Sequence, residues 1–312
     1  MTKTAETTAS QEVRNLPEYR AAFIDFIQKD KQPTDEEKRN YALHGGARIP
    51  GTAETKFSAI GRQAAPVLDL MKLYEIPGDV TIFASQTNNA AVVNDENTAI
   101  SPDDFFPVAL TGYNIIKVIG ASQTVATLSA GAFEDYTAEE LAPDIYRRME
   151  DLVFNGTGVD EPAGLVVAGS GADGAYVEDT DQLTVAAPPM DNDFKTFVKM
   201  VTVPGAAIFC NKNTFLDYVE GLTSVQGAPI VTKEAGQYYL YDMPVYFSST
   251  IADDLIYCAA LEHLIGNVAE PVYLQRSRIF LQNMLLFKAT ATFDCAPVTG
   301  RGAFARMVID IP

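Results

Sequence analysis

The longest regular pattern of apolar and polar positions lies between Asp135 and Leu165. Leu141, Ile145, Met149, Leu152 and Val153 recur at helical spacing, while Asp144, Arg147, Arg148 and Asp151 fall largely off that stripe. The spacing predicts an amphipathic helix over about residues 137–155. Thr137 with Glu140 has the form of a capping box, which satisfies orphan N–H groups at a helix start. Pro143 removes a donor, so the pattern implies a regular helix beginning near Pro143 or kinked there. Asn155-Gly156 predicts the end, through a glycine in the left-handed conformation of a C-cap. Pro162 and Gly164 then turn the chain into the apolar run Leu165-Val166-Val167.

Upstream, residues 1–10 are mostly Thr, Ala and Ser and read as a frayed end. Leu16, Tyr19, Phe23, Phe26 and Ile27 form one face of a helix through Gln28, and that stripe must be covered by its own domain or by another subunit. Thr34 with Glu37 opens a second short helix expected to end at Gly45-Gly46. Residues 54–73 carry enough apolar positions for a helix and a strand. From Ile76 to Val108 the character changes. Val80-Thr81-Ile82-Phe83-Ala84 and Phe105-Phe106-Pro107-Val108 are strand-like, and polar, turn-rich residues separate them, which predicts a long hairpin with little core of its own. Residues 115–125 are rich in β-branched side chains, and residues 169–193 read as a polar connection.

Beyond Phe194 helix and strand patterns alternate. Residues 206–210 and 256–261 read as buried strands, residues 238–247 as two strands around a turn, and residues 276–280 and 303–309 as further strands. In residues 285–294, Leu285, Phe287, Ala289, Ala291 and Phe293 alternate with Leu286, Lys288, Thr290, Thr292 and Asp294, the period of a half-buried strand. No internal repeat is present.

Composition narrows the function classes. The 312 residues are 47% hydrophobic, enough for one or two globular domains. A net charge of −18 argues against a protein that grips nucleic acid by its phosphates. Cys210, Cys258 and Cys295 are odd in number and widely spaced, which fits a reducing compartment without a disulfide framework. No secretory signal and no bilayer-spanning apolar run is visible. His44 and His263 are too few for a rich metal site. Gly169-Ser-Gly-Ala-Asp-Gly lacks the order of a nucleophile elbow, and Gly156-Thr-Gly lacks the third glycine of a dinucleotide loop. The acidic run Asp173, Glu178, Asp179 and Asp181 fails the EF-hand pattern and reads as a solvated loop. The sequence thus offers no catalytic residue, no cofactor site and no metal site.

A long helix ending in Glu150-Asp-x-x-x-Asn155-Gly-Thr-Gly and followed by Pro162-Ala-Gly-Leu resembles the major capsid proteins of tailed bacteriophages, the Hong Kong 97 capsid fold. Gly45-Gly46-Ala-Arg-Ile-Pro50 resembles the start of their ordered N-terminal arm, and Met243-Pro-Val-Tyr-Phe-Ser248 loosely matches a segment of their axial domain. The resemblance implies an α+β chain: N-terminal helices and arm over 1–53, entry to the peripheral (P) domain over 54–75, an extended (E) loop over 76–108, the P domain with its spine helix over 109–193, the axial (A) domain over 194–275, and a return to the P domain over 276–312. It implies a non-enzymatic subunit that self-assembles as hexamers and pentamers into an icosahedral shell around double-stranded DNA, without sequence-specific binding. The expected partners are other copies of the chain, a portal, and separate scaffold or cement proteins. The expected location is the virion, assembled in the host cytoplasm without a membrane. Subunit contacts are expected at Phe23, Phe26, Ile27, Ile82, Phe83, Phe105, Arg147, Arg148, Arg276 and Arg278. The stretch before Gly45-Gly46 is too short for the scaffolding domain that some relatives remove, so the first helix is expected to stay attached. The founding member joins its subunits by isopeptide bonds from an E-loop lysine, but no lysine lies between Pro77 and Pro107 here, so a non-covalent shell is expected. An encapsulin-like compartment for protein cargo is the alternative with the same fold, and an ordinary soluble enzyme or binding domain is the alternative of another class.

Overall fold

Local sequence rules place most of the helices and strands. The computed structural model describes residues 11–43, 46–85, 105–166, 182–224, 227–279, 284–297 and 302–310. His44, Gly45, the acidic run 173–181, residues 169–174 and most of the 76–108 loop beyond its two strands lie outside these residues. The chain divides into two compact units, one of Met1–Pro66, Asn114–Met149 and Val268–Phe293, the other of Val67–Tyr113, Glu150–Asn267 and Asp294–Pro312.

In the first unit, the expected N-terminal helix forms as Pro17–Phe23 and continues as a π-helical turn, Ile24–Gln28. Thr34 caps Asp35–Tyr41 with the full capping box, its side chain accepting from Glu37 N–H while the Glu37 carboxylate accepts from Thr34 N–H. That helix stops at Ala42, in the left-handed region at φ 53°, before the expected Gly45-Gly46. Gly46 has a different reason to be glycine: a Cβ there would lie 2.6 Å from the Tyr273 ring. Gly51–Ala64 is the next helix, and Gly61 lets the Tyr146 ring lie directly on it.

The long helix begins at Ala130, seven residues before the expected start, and runs to Asn155. Ser129 is its cap, with its hydroxyl accepting from Ala132 N–H and its carbonyl from Phe133 N–H. Thr137 therefore lies inside the helix, and its hydroxyl donates back to the Phe133 and Glu134 carbonyls rather than capping anything. Pro143 sits inside without ending the helix. A helical proline costs about 3 kcal/mol. Burial of Leu141, Ile145 and the alanine between Leu141 and Pro143, all 0% exposed, offsets that at roughly 1.5–3 kcal/mol for each of the two large side chains.

The strands Ala47–Arg48, Leu264–Ile279, Met284–Pro297 and Tyr113–Ser122 follow one another in a sheet, with Lys72–Tyr74 paired to Ile265–Asn267. The predicted alternation of the Met284–Pro297 strand holds: Leu285, Phe287, Ala289, Ala291 and Phe293 are buried, and Phe287 meets Phe133 of the long helix edge to face.

The second unit is built on a seven-stranded sheet in the order Gln182–Val185, Phe304–Ile309, Leu255–Ala259, Ala207–Cys210, Met243–Phe247, Gln237–Leu240 and Val231–Glu234. One face, with Ile208, Ile256 and Met307, packs on Phe194 and Phe197 of helix Asp191–Met200. On the other face Tyr257, Phe209 and Tyr246 stand in register on three adjacent strands, with Phe154 packed on the first two. Two expectations change here. Gln182–Val185 is a strand inside the stretch read as a polar connection; its parallel partner is the distant Arg306–Ile309. Residues 276–312 also do not return as one piece: 294–312 belong to the second unit, and Phe304–Ile309 sits inside the seven-stranded sheet.

Candidate assembly surfaces

The hairpin expected in the 76–108 region is present at its base. Val80–Ser85 pairs antiparallel with Phe105–Leu110, and the two form a sheet of their own. Phe83 is 71% exposed, the second most exposed large hydrophobic side chain described, while Ile82 is half-buried. Phe105 lies opposite Ser85 at the far end of the ladder, where its side chain is not described. An aromatic ring this exposed, on a two-stranded ribbon, lacks a core of its own.

The base of the hairpin is fixed by a residue that was read only as an outward strand position. Asp294 is 5% exposed, and its carboxylate accepts from the N–H groups of Thr111 and Gly112 at 2.8 and 3.1 Å and from Cys295 N–H at 2.9 Å. Gly112, at φ 80°, makes the turn that aims both donors at it. Burial raises the Asp294 carboxyl above its ordinary range, and the three backbone donors pull the other way. The sequence carried no signal for it, because Asp294 follows Lys288, Thr290 and Thr292 on the polar positions of the strand.

The C-terminal end of the long helix is also built differently from expectation. Gly156 is not in the left-handed region; it is glycine because a Cβ would lie 2.4 Å from the Pro162 carbonyl and 2.5 Å from that of Leu152. Leu165 and Val166 donate to the Val153 and Phe154 carbonyls, and Gly164 to Gly156, so the returning chain itself satisfies the helix end. Asn155 donates to Asp151 and to the Thr250 carbonyl. Ser248 hydrogen-bonds to the buried Glu150.

Among the expected contact residues, Arg147 and Arg148 are exposed on the long helix, with Arg147 3.5 Å from Asp144, an acid that also pairs with Lys117. Arg278 is exposed as well. Three others are turned inward. Phe23 and Ile27 are 2% and 1% exposed, covered by the subunit itself, with Phe26 half-buried beside them. Arg276 donates to the Ile27 and Gln28 carbonyls at 3.4 and 2.6 Å, where it caps the C-terminal carbonyls of the π-turn. A helical stripe shows that a face needs cover but not which chain supplies it. Ile116 and Val118, exposed on the strand Tyr113–Ser122, were not singled out; adjacent apolar pairs in Ile115-Ile116 and Val118-Ile119 mark a strand apolar on both faces.

Among the described residues no group of His, Cys, Asp or Glu is placed to hold a metal ion, and no helix is long and apolar enough to cross a membrane. The three cysteines are buried, and burial pushes the Cys210 and Cys258 thiols up to about 12 and the Cys295 thiol higher still.

The family model described as the phage capsid family matches residues 45–308. The sequence matches no curated protein. Among solved structures, the capsid of an empty GTA particle is similar at 15% identity and TM-score 0.62, covering 79% of this chain and 90% of that one. Mycobacterium phage Bobi is similar at 15% identity and TM-score 0.56, with 79% and 90% covered. The holo-SrpI encapsulin complex from Synechococcus elongatus is similar at 11% identity and TM-score 0.55, with 79% and 87% covered. At these identities the likeness establishes a shared fold.

Proposed function

This chain belongs to the phage capsid family, and from that premise we propose that its subunits join through the hairpin Val80–Ser85/Phe105–Leu110, which reaches onto a neighbouring copy. The protein is a structural shell component of a virion and not an enzyme. Assembly proceeds by closed symmetry from copies of one subunit. The observation that carries the hairpin's role is Phe83, 71% exposed on a two-stranded ribbon. Covering one such ring stabilises a contact by roughly 1.5–3 kcal/mol, and a shell repeats the contact in every subunit. Arg147, Arg148 and Arg278, exposed on the other unit, supply further charged contacts between copies, each worth little alone. The enclosed cargo is double-stranded DNA held without base recognition, and portal, scaffold and cement proteins complete the particle, which is assembled in the host cytoplasm.

Gel filtration and negative-stain microscopy of the purified chain test this reading. Megadalton hollow particles are the expected result; a species near the 33.8 kDa subunit under all conditions overturns it. The likeness to an encapsulin favours a second reading, a compartment for protein cargo. Genes for terminase, portal and protease beside this one support the phage head, whereas a gene for a cargo enzyme supports the compartment.

A further inference from the structure

Charge is divided unevenly between the two units. The first, Met1–Pro66 with Asn114–Met149 and Val268–Phe293, contains 16 Lys and Arg against 15 Asp and Glu; the second contains 7 against 26. The first unit is therefore at +1 and the second at −19, which together return the −18 of the whole chain. The ion pairs Arg20–Glu134, Arg14–Glu54, Lys56–Asp135 and Lys117–Asp144 all lie in the first unit. Lys195 pairs with Asp191 in the second.

The excess is gathered as well as large. Asp217, Glu220, Asp253 and Asp254 are all exposed in the second unit. Tyr218 brings two of them together: its hydroxyl is held by Asp254 and feels the charge of Asp217, which raises it above the ordinary tyrosine range. Asn213 reaches Asp253 at 3.5 Å, and Thr214 accepts the Asp254 N–H at 3.0 Å, so the segment carrying both aspartates is anchored beside the helical turn carrying Asp217.

We propose that like charge on the second unit holds back association of the copies, so that shell formation depends on screening of that unit by dissolved ions. The inference rests on the shell reading above. Every copy in a symmetric shell carries the same units, so the −19 of one copy is repelled by the −19 of each neighbour, and contacts between copies form against that charge. The first unit, nearly neutral, supplies no compensating field. Repulsion of this kind reaches about 30 Å at 0.01 M salt but only about 8 Å at 0.15 M. Contacts held by ion pairs weaken as salt rises; a contact opposed by like charge strengthens, so the sign of the salt dependence separates the two.

The test is assembly of purified subunits across a sodium chloride series, followed by light scattering and microscopy. Few shells are expected near 0.01 M and abundant shells above about 0.15 M. The variant D217N/E220Q/D253N should lower the salt midpoint by about twofold. The variant E36Q/E139Q/E140Q removes the same charge from exposed positions of the first unit and should lower it less. Circular dichroism confirms that both remain folded. Equal shifts from the two variants overturn the assignment to the second unit. Shells that form regardless of salt, or best at low salt, overturn the inference while leaving the shell reading intact. Subunits that stay monomeric at every salt concentration overturn both.

Discussion

The Arg20 guanidinium grips the Glu134 carboxylate through two parallel hydrogen bonds, each 2.7 Å long. Glu134 sits in the first turns of the long helix and is 3% exposed, while Arg20 is partly open to solvent on the N-terminal helix. The pair ties residues 114 positions apart in sequence, and Tyr19, Phe23 and Ile27 are buried along the same helix.

Removing Arg20 leaves a buried carboxylate without its cation. Breaking a fully buried pair costs about 3–5 kcal/mol; because Arg20 is partly exposed, R20A should destabilise the subunit by about 2 kcal/mol. R20K should recover only part, because an ammonium cannot make the planar two-point contact. R20M/E134M should be milder than R20A, since no orphan charge remains. Urea unfolding measures all three, and equal stability of R20A and wild type would show the pair to be energetically idle. The same packing predicts that mature particles retain the Pro17–Gln28 segment, which intact-mass measurement checks.

Phe83 makes the opposite prediction. Its ring is exposed, so F83D should change subunit stability by less than about 0.5 kcal/mol. Shells of F83D should nevertheless be lost or dissociate at much lower denaturant than wild-type shells. Deleting residues 86–98 should act in the same direction. Normal shell yield from F83D removes the hairpin from the assembly surface.

How legible these sites were in the sequence differs from one to the next, for physical reasons. The strand Met284–Pro297 could be read directly, because its period of two follows from one buried face. Thr34 and Glu37 could be read because a capping box is local. The true start of the long helix could not: Ala130-Gly131-Ala132 carries no stripe, and its cap, Ser129, is an ordinary serine until the turn exists. Gln182–Val185 was hidden because its order comes from pairing with residues over a hundred positions away. Phe23, Ile27 and Arg276 show the limit for assembly surfaces. Their pattern demands a partner, and the same pattern serves a partner inside the subunit or outside it.

Asp294 gives a pH prediction. Its folded-state pKa is raised above the ordinary aspartate value of 3.8, chiefly by burial. The folded state therefore holds this proton more tightly than the unfolded chain does. Its favourable contribution is fully present below 3.8 and is lost as pH rises through the folded-state value. D294N keeps an acceptor oxygen for Thr111 and Gly112 but cannot ionise. Wild-type stability minus D294N stability should therefore fall as pH is raised from about 3.8 toward neutrality. Chemical unfolding at a series of pH values measures this difference, and a difference that grows with pH contradicts the assignment.

The last prediction concerns how the shell is held. An isopeptide bond between subunits needs an amine that can lose its proton and attack a side-chain amide. Between Pro77 and Pro107 the chain has no lysine, although Asn88, Asn89, Asn94 and Asn97 offer amides. The lysines flanking this region are poorly placed to replace one. Lys72 lies in a short strand whose partner is Ile265, and Lys117 is ion-paired to Asp144. An ammonium held by a carboxylate is not a nucleophile. The hairpin can therefore contribute burial and hydrogen bonds, but not the attacking amine of a covalent link. Boiled mature particles on a denaturing gel should give a single band near 33.8 kDa. A ladder of pentamers, hexamers and larger species would show that a lysine elsewhere in the chain supplies the amine.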